Sequence, residues 1–254
     1  MKLRDRSTFD VVRYAPAGAV RAAEDADTAG GPEGVLYGHF SVFNRWYEID
    51  SAWEGNFLER VAPGAFRETF AEDVQRCWFE HGYSTVLDRM SLGAIEQLRE
   101  DKTGAYYEVR LFDGLPQALV EGLRAGEYGA SFRMRILAET VNAEPGTSEH
   151  NPKGLPEVTI QRVRCPEFGP VSIGASPHAT ANLRSGTDAF YDQLRSRDAE
   201  LWAHAARAAG IDQTSTVGAG TEGAADGDHQ HGPDRGRAAI ARLIAAGIPL
   251  KENQ

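Results

Sequence analysis

Short runs in which apolar and polar residues alternate dominate this chain, and segments with helical spacing are few. After a short possible strand and the Ala/Asp/Gly-rich stretch "AGAVRAAEDADTAGGPEG", which reads as a flexible lead-in over residues 1–33, the ordered body begins at "GVLYGHFSVFNRWYEI". There small and aromatic residues interleave over strand-length runs. "NFLERVAPGAFRETFAE" predicts a turn at Pro63-Gly64 and a short helix with Phe66 and Phe70 on one face. "VQRCWFEHG" reads as a strand ended by glycine, with His81 at its exit. "SLGAIEQLRED" can start at a Ser91 cap, and "DKTG" forms a hairpin turn into the strand "AYYEVRLF".

The spacing of Leu115, Leu119 and Leu123 in "LPQALVEGLRAGEY" predicts an amphipathic helix that delivers the chain to Gly129 and Ser131. "SFRMRILAE" and "EVTIQRVRC" resume the strand pattern, joined by an exposed hairpin tip or insertion over residues 140–156. Many strands and two short helices describe an α+β, β-dominated domain over residues 34–185. A βαβ array would show evenly spaced helices. Beyond residue 185 the composition shifts, and residues 186–254 read as a helix through "DAFYDQLRSRDAELWAHAARAAG", a disordered glycine-rich linker and a short amphipathic helix, "RAAIARLIAAGIPL".

Composition narrows the partners. Lys and Arg number 27 against 37 Asp and Glu, a formal charge of -10, and "RMR" and "QRVR" fall inside strands as solvated faces, so nucleic acid is not the expected partner. Neither a signal peptide nor an apolar run long enough to span a membrane is present, and no membrane partner is expected. Cys77 and Cys165 lack partners at metal-ligand spacing and read as free thiols in a reducing compartment.

Three polar residues stand at transitions beside apolar strands: His81, Ser131 and Glu167. A serine hydroxyl needs a base within hydrogen-bond reach and a third group to orient that base, and a His, a Ser and a Glu would supply the set. Spacing alone does not bring them together. A strand cap, a helix-to-strand turn and a solvated loop carboxylate are the plain alternatives for the three. His39 in "YGHFSVF" competes with His81 and reads as a partly buried strand histidine. The small neighbours of Ser131 leave main-chain N–H groups near Ala130, Phe132 and Arg133 open to an oxyanion. His229 and His231 in "GDHQHG" invite a metal, yet the segment lacks a nearby Cys, so no metal or other cofactor is expected. "GxxxxGK[ST]", "GxGxxG" and "GxSxG" are missing, which argues against nucleotide binding and an α/β-hydrolase.

The series "GHFSVFNRWYEI", "EGNFLERVAPGAF", "FEHG", "DRMSLG", "GASFRM" and "CPEFGPVSIGASPHATA" resembles the prohead serine proteases of tailed bacteriophages, capsid-maturation enzymes related to the herpesvirus assemblins. The six pieces occur in the family's order and span about residues 34–185. The resemblance implies an assemblin-like fold with a mixed, β-barrel-like sheet core and peripheral helices. It also implies His81 as general base, Ser131 as nucleophile and Glu167 as the group orienting the imidazole, a role that a second histidine takes in assemblins. Gly169 stands in place of a serine of the family's "EVS", "GASP" at residues 174–177 in place of a "PAYP"-like turn, and Arg133 where many relatives have glycine. Arg133 is then expected to line the substrate groove or to lend an oxyanion donor.

By the same resemblance the substrates are the major capsid protein or a scaffold protein, and the chain itself, cut inside the immature procapsid in the host cytoplasm. The resemblance also implies a homodimer, since assemblins act as dimers. The C-terminal helix would recruit the enzyme to its substrate, or be an extension without a role. Two other readings remain: an inactive scaffolding protein with the same fold, and an unrelated esterase.

Overall fold

The computed structural model describes residues 4–14, 21–22, 34–172 and 186–211. The tail from residue 212, with its linker, histidine pair and final helix, lies outside them, as do the "GASP" turn and most of the lead-in. Ten strands occur among the described residues: β1 (Val11–Tyr14), β2 (Arg21–Ala22), β3 (Val35–Val42), β4 (Tyr47–Ser51), β5 (Gly55–Val61), β6 (Arg76–Cys77), β7 (Gly93–Glu100), β8 (Gly104–Leu111), β9 (Gly129–Asn142) and β10 (Glu157–Val171). Four helices accompany them: α1 (Arg67–Glu72), α2 (Gln117–Ala125), α3 (Gly186–Arg197) and α4 (Ala199–Ala208).

One sheet runs β1-β9-β10-β5-β4 with β6 added beside β10, and the other runs β2-β3-β8-β7. The α+β, strand-rich class agrees with the sequence, but among the described residues the strands make two open sheets and no closed barrel. Their facing surfaces share an aromatic core. Phe40 of β3 stacks on Phe168 of β10 at 4.9 Å between ring centroids and meets Phe132 of β9 at 5.2 Å. Removing such side chains from water is the main force holding the two layers together.

Several local expectations change. The segment after Ser91 is the strand β7, which takes no cap from Ser91 and pairs with β8 across the expected "DKTG" hairpin turn. Only Arg76 and Cys77 of "VQRCWFEHG" are strand, because Phe79–Gly82 turns into a single 3-10 turn. The short strand expected at the start of the lead-in is β1, and its four residues pair with β9, so the sheet reaches back across residue 34. The helix after residue 185 is two, restarted where the Asp198 carboxylate accepts from the Leu201 N–H at 2.9 Å, an N-cap that satisfies an otherwise unpaired donor. Helix α2 forms as its leucine spacing predicts, with Leu119 and Leu123 buried and Gly126 closing it at φ 73°.

Candidate active site

Strand parity puts the polar residues on one face. In β9, Ala130, Phe132, Met134 and Ile136 enter the aromatic core, so Ser131, Arg133 and Arg135 project from the opposite face. In β10, Val163 and Cys165 also point into the core, and plain alternation would send Glu167 after them. It does not, because the register slips between Arg164 and Glu167, where Pro166 has no N–H for the ladder. The bulge flips the parity. Phe168 enters the core, and Glu167 emerges opposite Arg133, with Gly169 opposite Ser131.

His81 reaches this face from the 3-10 turn. Glu80 and His81 both hold left-handed backbone angles, φ 52° and 55°, which non-glycine residues adopt at a cost of about 1–3 kcal/mol each. Two anchors offset that strain: Glu80 Oε1 accepts from the Ser172 N–H at 2.7 Å and from its hydroxyl, and His81 Nδ1 lies 2.8 Å from Glu167 Oε1. Gly169 makes the approach possible, since a Cβ there would overlap the carbonyl oxygen of Trp78. The replacement of a serine by Gly169 is therefore a packing requirement of the segment through Trp78 that leads to the histidine.

Glu167 is fully buried and the His81 side chain is 8% exposed. Ser131 is also fully buried, and its hydroxyl donates to the carbonyl of Arg13 at 3.0 Å. His81 Nε2 takes no hydrogen bond. So the structure joins His81 to Glu167 directly and leaves Ser131 on the same sheet face, two residues along β9 from the partner of Glu167. Two strand residues correspond to about 7 Å.

Helix α3 roofs this face, with the Phe190 ring 6.0 Å from the His81 ring and 5.5 Å from the Arg133 guanidinium. It is fastened to the outer edge of β1. The Val12 N–H donates to Thr187 Oγ1 at 2.9 Å, the Tyr191 hydroxyl donates to the Asp10 carbonyl at 3.0 Å, and Tyr191 stacks on Trp53 at 3.7 Å. Behind β1 lies a buried ionic cluster. The Arg13 guanidinium donates to Glu54 Oε2 at 2.5 Å and Glu59 Oε1 at 2.6 Å, Arg6 joins both carboxylates, and the Tyr47 hydroxyl donates to Glu59 at 2.6 Å. Burial alone would raise the Glu59 carboxyl, but Arg13 and Arg6 hold it down at about 2. The cluster holds the strand whose carbonyl receives Ser131.

The other expectations resolve as follows. The side chains of Ala130 and Phe132 are buried in the core, which leaves only their main-chain groups for any contact with substrate. Arg133 lies within 3.5 Å of Glu167 Oε1, and its side chain is 20% exposed, unlike a solvated strand arginine. His39 is the partly buried strand histidine expected, held by Asp101 at 2.9 Å. Cys77 and Cys165 are free and buried, and burial first, then the charge of Glu167, pushes both thiols up. Sequence reasoning missed Arg13, Thr187 and Phe190. Nothing in their spacing signals a role, because all three act through packing between distant segments.

A second relay sits at the hairpin tip, where the Ser148 hydroxyl lies 3.2 Å from His150 Nδ1 and His150 Nε2 lies 2.9 Å from Glu157. It is exposed, its ring stacks on Trp46, and Ser148 Oγ already accepts the Asn151 N–H, so it reads as a loop lock. Among the described residues there is no group of three or more His, Cys, Asp or Glu side chains arranged to hold a metal, and no helix is long and apolar enough to cross a membrane.

A histidine hydrogen-bonded to a buried carboxylate beside a strand serine defines the general class of a candidate serine hydrolase site. The family profile described as caudovirus prohead serine protease matches residues 20–192, and the chain belongs to that family. The solved structure of the bacteriophage T4 capsid assembly protease is similar at 10% identity, covering 54% of this chain and 96% of that one, with a TM-score of 0.29. No curated protein sequence matches the chain.

Proposed function

We propose that the protein is a serine endopeptidase of procapsid maturation that cuts capsid or scaffold protein, and its own chain, with His81, Ser131 and Glu167 as the working residues. The observation that carries this reading is the 2.8 Å contact of His81 Nδ1 with buried Glu167, on the face from which Ser131 projects. Family membership supplies the peptidase class and the capsid setting.

In this mechanism Glu167 fixes the imidazole by accepting from Nδ1–H, so that Nε2 is the basic nitrogen. Ser131 leaves the Arg13 carbonyl by rotating its hydroxyl, gives its proton to Nε2 and attacks the peptide carbonyl. The imidazolium returns that proton to the leaving amine, and water then releases the acyl group from Ser131 by the same route. Main-chain N–H groups near the start of β9 receive the oxyanion. Catalytic hydrogen bonds commonly tighten only when substrate binds, which is compatible with the present separation of Ser131 from His81. Ser131 is fully buried, so a peptide reaches it only after the cover over this face opens. Enclosure in the procapsid would hold substrate close, so a simple pocket suffices, and a homodimer fits the same setting.

One observation favours a second reading, an inactive assembly protein: the Ser131 hydroxyl is bonded to Arg13 and not to His81. Intact mass of the full chain, alone and with its capsid protein, is to be followed over time beside Ser131→Ala. Fragments that need Ser131 support the peptidase, and uncut chains in both preparations support the scaffold.

A further inference from the structure

We infer that Arg133 is a positioning residue whose charge keeps Glu167 ionised behind a neutral His81; the inference rests on the reading proposed above. A general base must be neutral to accept a proton, so His81 cannot serve as the cation that Glu167 needs in its resting state. Yet Glu167 is fully buried, with Oε2 making no hydrogen bond, and a buried carboxylate without a cation takes up a proton instead. Among the described residues Arg133 is the cation other than His81 within ion-pair distance of Glu167, at 3.5 Å. A guanidinium stays charged at any working pH.

The register is what puts it there. Arg133 and Glu167 are direct partners across β9 and β10, and the Pro166 bulge that turns Glu167 to this face also brings it opposite the arginine. On its other side Arg133 lies 3.8 Å from Asp10, which in turn holds Arg135 at 2.7 Å, so charges alternate across the strands from Glu167 to Arg133, Asp10 and Arg135. The remaining titratable groups around Glu167 do not replace the arginine: Arg76, its register partner on β6, is exposed and turns its guanidinium to the Gln75 carbonyl at 3.0 Å. Cys77 on β6 and Cys165 on β10 are buried thiols pushed up and therefore neutral, and the Tyr83 phenol, raised first by burial, is neutral too. From α3, Phe190 packs on the guanidinium, and Tyr191, also raised by burial, carries no charge. The site thus assigns Arg133 to the catalytic carboxylate, and the expected role at the oxyanion is not needed to explain it.

The two roles differ in pH dependence. An oxyanion donor, once removed, lowers the rate equally at every pH. A counter-ion, once removed, lets the hydrogen-bonded His81–Glu167 pair take up its proton more readily, whichever member holds it, and so moves the acid limb of the rate profile to higher pH. The test is the rate at which a fluorophosphonate forms an adduct on the full chain between pH 5 and 9, read by intact mass. Wild type, Arg133→Met and Arg133→Lys are compared, with Ser131→Ala and Glu167→Gln as controls. For Arg133→Met the acid limb is expected to move up by about one pH unit, which lowers the rate about tenfold on that limb, and Arg133→Lys is expected to keep the wild-type limb. A limb that stays in place in Arg133→Met, whatever the rate, overturns the inference while the triad stands. Labelling that is absent from wild type, or undiminished in Ser131→Ala, overturns the proposed nucleophile itself. If Arg133→Met does not fold by circular dichroism, Arg133→Gln, uncharged but polar and planar, is judged by the same limb.

Discussion

Arg133 and Glu167 face each other across β9 and β10, and Glu167 Oε1 lies between the arginine Nε at 3.5 Å and the His81 Nδ1 at 2.8 Å. One carboxylate oxygen therefore connects three segments of chain that are distant in sequence. The consequences for activity and stability can be measured separately.

Glu167→Gln removes the acceptor charge while keeping the shape. The Nδ1–H loses its carboxylate, the wrong tautomer gains population, and adduct formation on Ser131 should fall by about 10²- to 10⁴-fold at neutral pH. Thermal unfolding should shift far less than the rate. A wild-type rate in this variant removes Glu167 from the mechanism.

Helix α3 should control access. Phe190 is buried between His81, Tyr83 and Arg133, so Phe190→Ala costs about 3 kcal/mol of stability and opens the sheet face beside His81 and Arg133 that Ser131 shares. Fluorophosphonate labelling of the folded fraction should accelerate, while Ser131→Ala on the same background stays unlabelled. Equal rates with and without the ring would mean that α3 does not gate the serine.

Gly169→Ala tests the close approach of Trp78, which leads into the His81 turn. The added methyl overlaps the Trp78 carbonyl, and moving backbone out of the way costs about 1–3 kcal/mol. The urea midpoint should drop, and because the displaced segment leads directly to His81, labelling of Ser131 should slow as well. A change in stability without a change in rate would show that the 3-10 turn is held independently, by Glu80 and Ser172.

The ionic cluster behind β1 sets an acid limit. Glu59 has a folded value of about 2 against 4.5 as its ordinary value; burial opposes this, and Arg13 and Arg6 outweigh it. A depressed carboxylate contributes stability that is complete above its unfolded value and disappears as pH falls toward the folded one. Urea midpoints should therefore fall between pH 4.5 and about pH 2. Asp101, also held at about 2, first raised by burial and then lowered further by His39 and two main-chain N–H groups, acts in the same window but is solvent-screened and contributes less. Glu59→Gln should cost about 3 kcal/mol at neutral pH by leaving Arg13 under-compensated, and should flatten the acid slope. An unchanged slope would place the acid sensitivity elsewhere.

The sequence by itself determined the strand-rich α+β class, the two strands flanking an exposed tip or insertion over residues 140–156, helix α2 from its leucine spacing, and the free cysteines, because alternation, helical period and turn chemistry are local properties. It also picked out His81, Ser131 and Glu167, through small motifs at strand transitions. What those motifs do together was a tertiary decision. Pro166 announces a break in the ladder, but only pairing with β9 shows that the resulting bulge reverses the direction of Glu167 and aligns it with Arg133. Gly169 reads as a departure until Trp78 lies against it, and Arg13 and Phe190 carry no signature, since one offers a carbonyl to Ser131 and the other a ring to His81. Contacts between residues tens of positions apart depend on register and layer packing, and a one-residue change in register sends every side chain to the other face of its sheet.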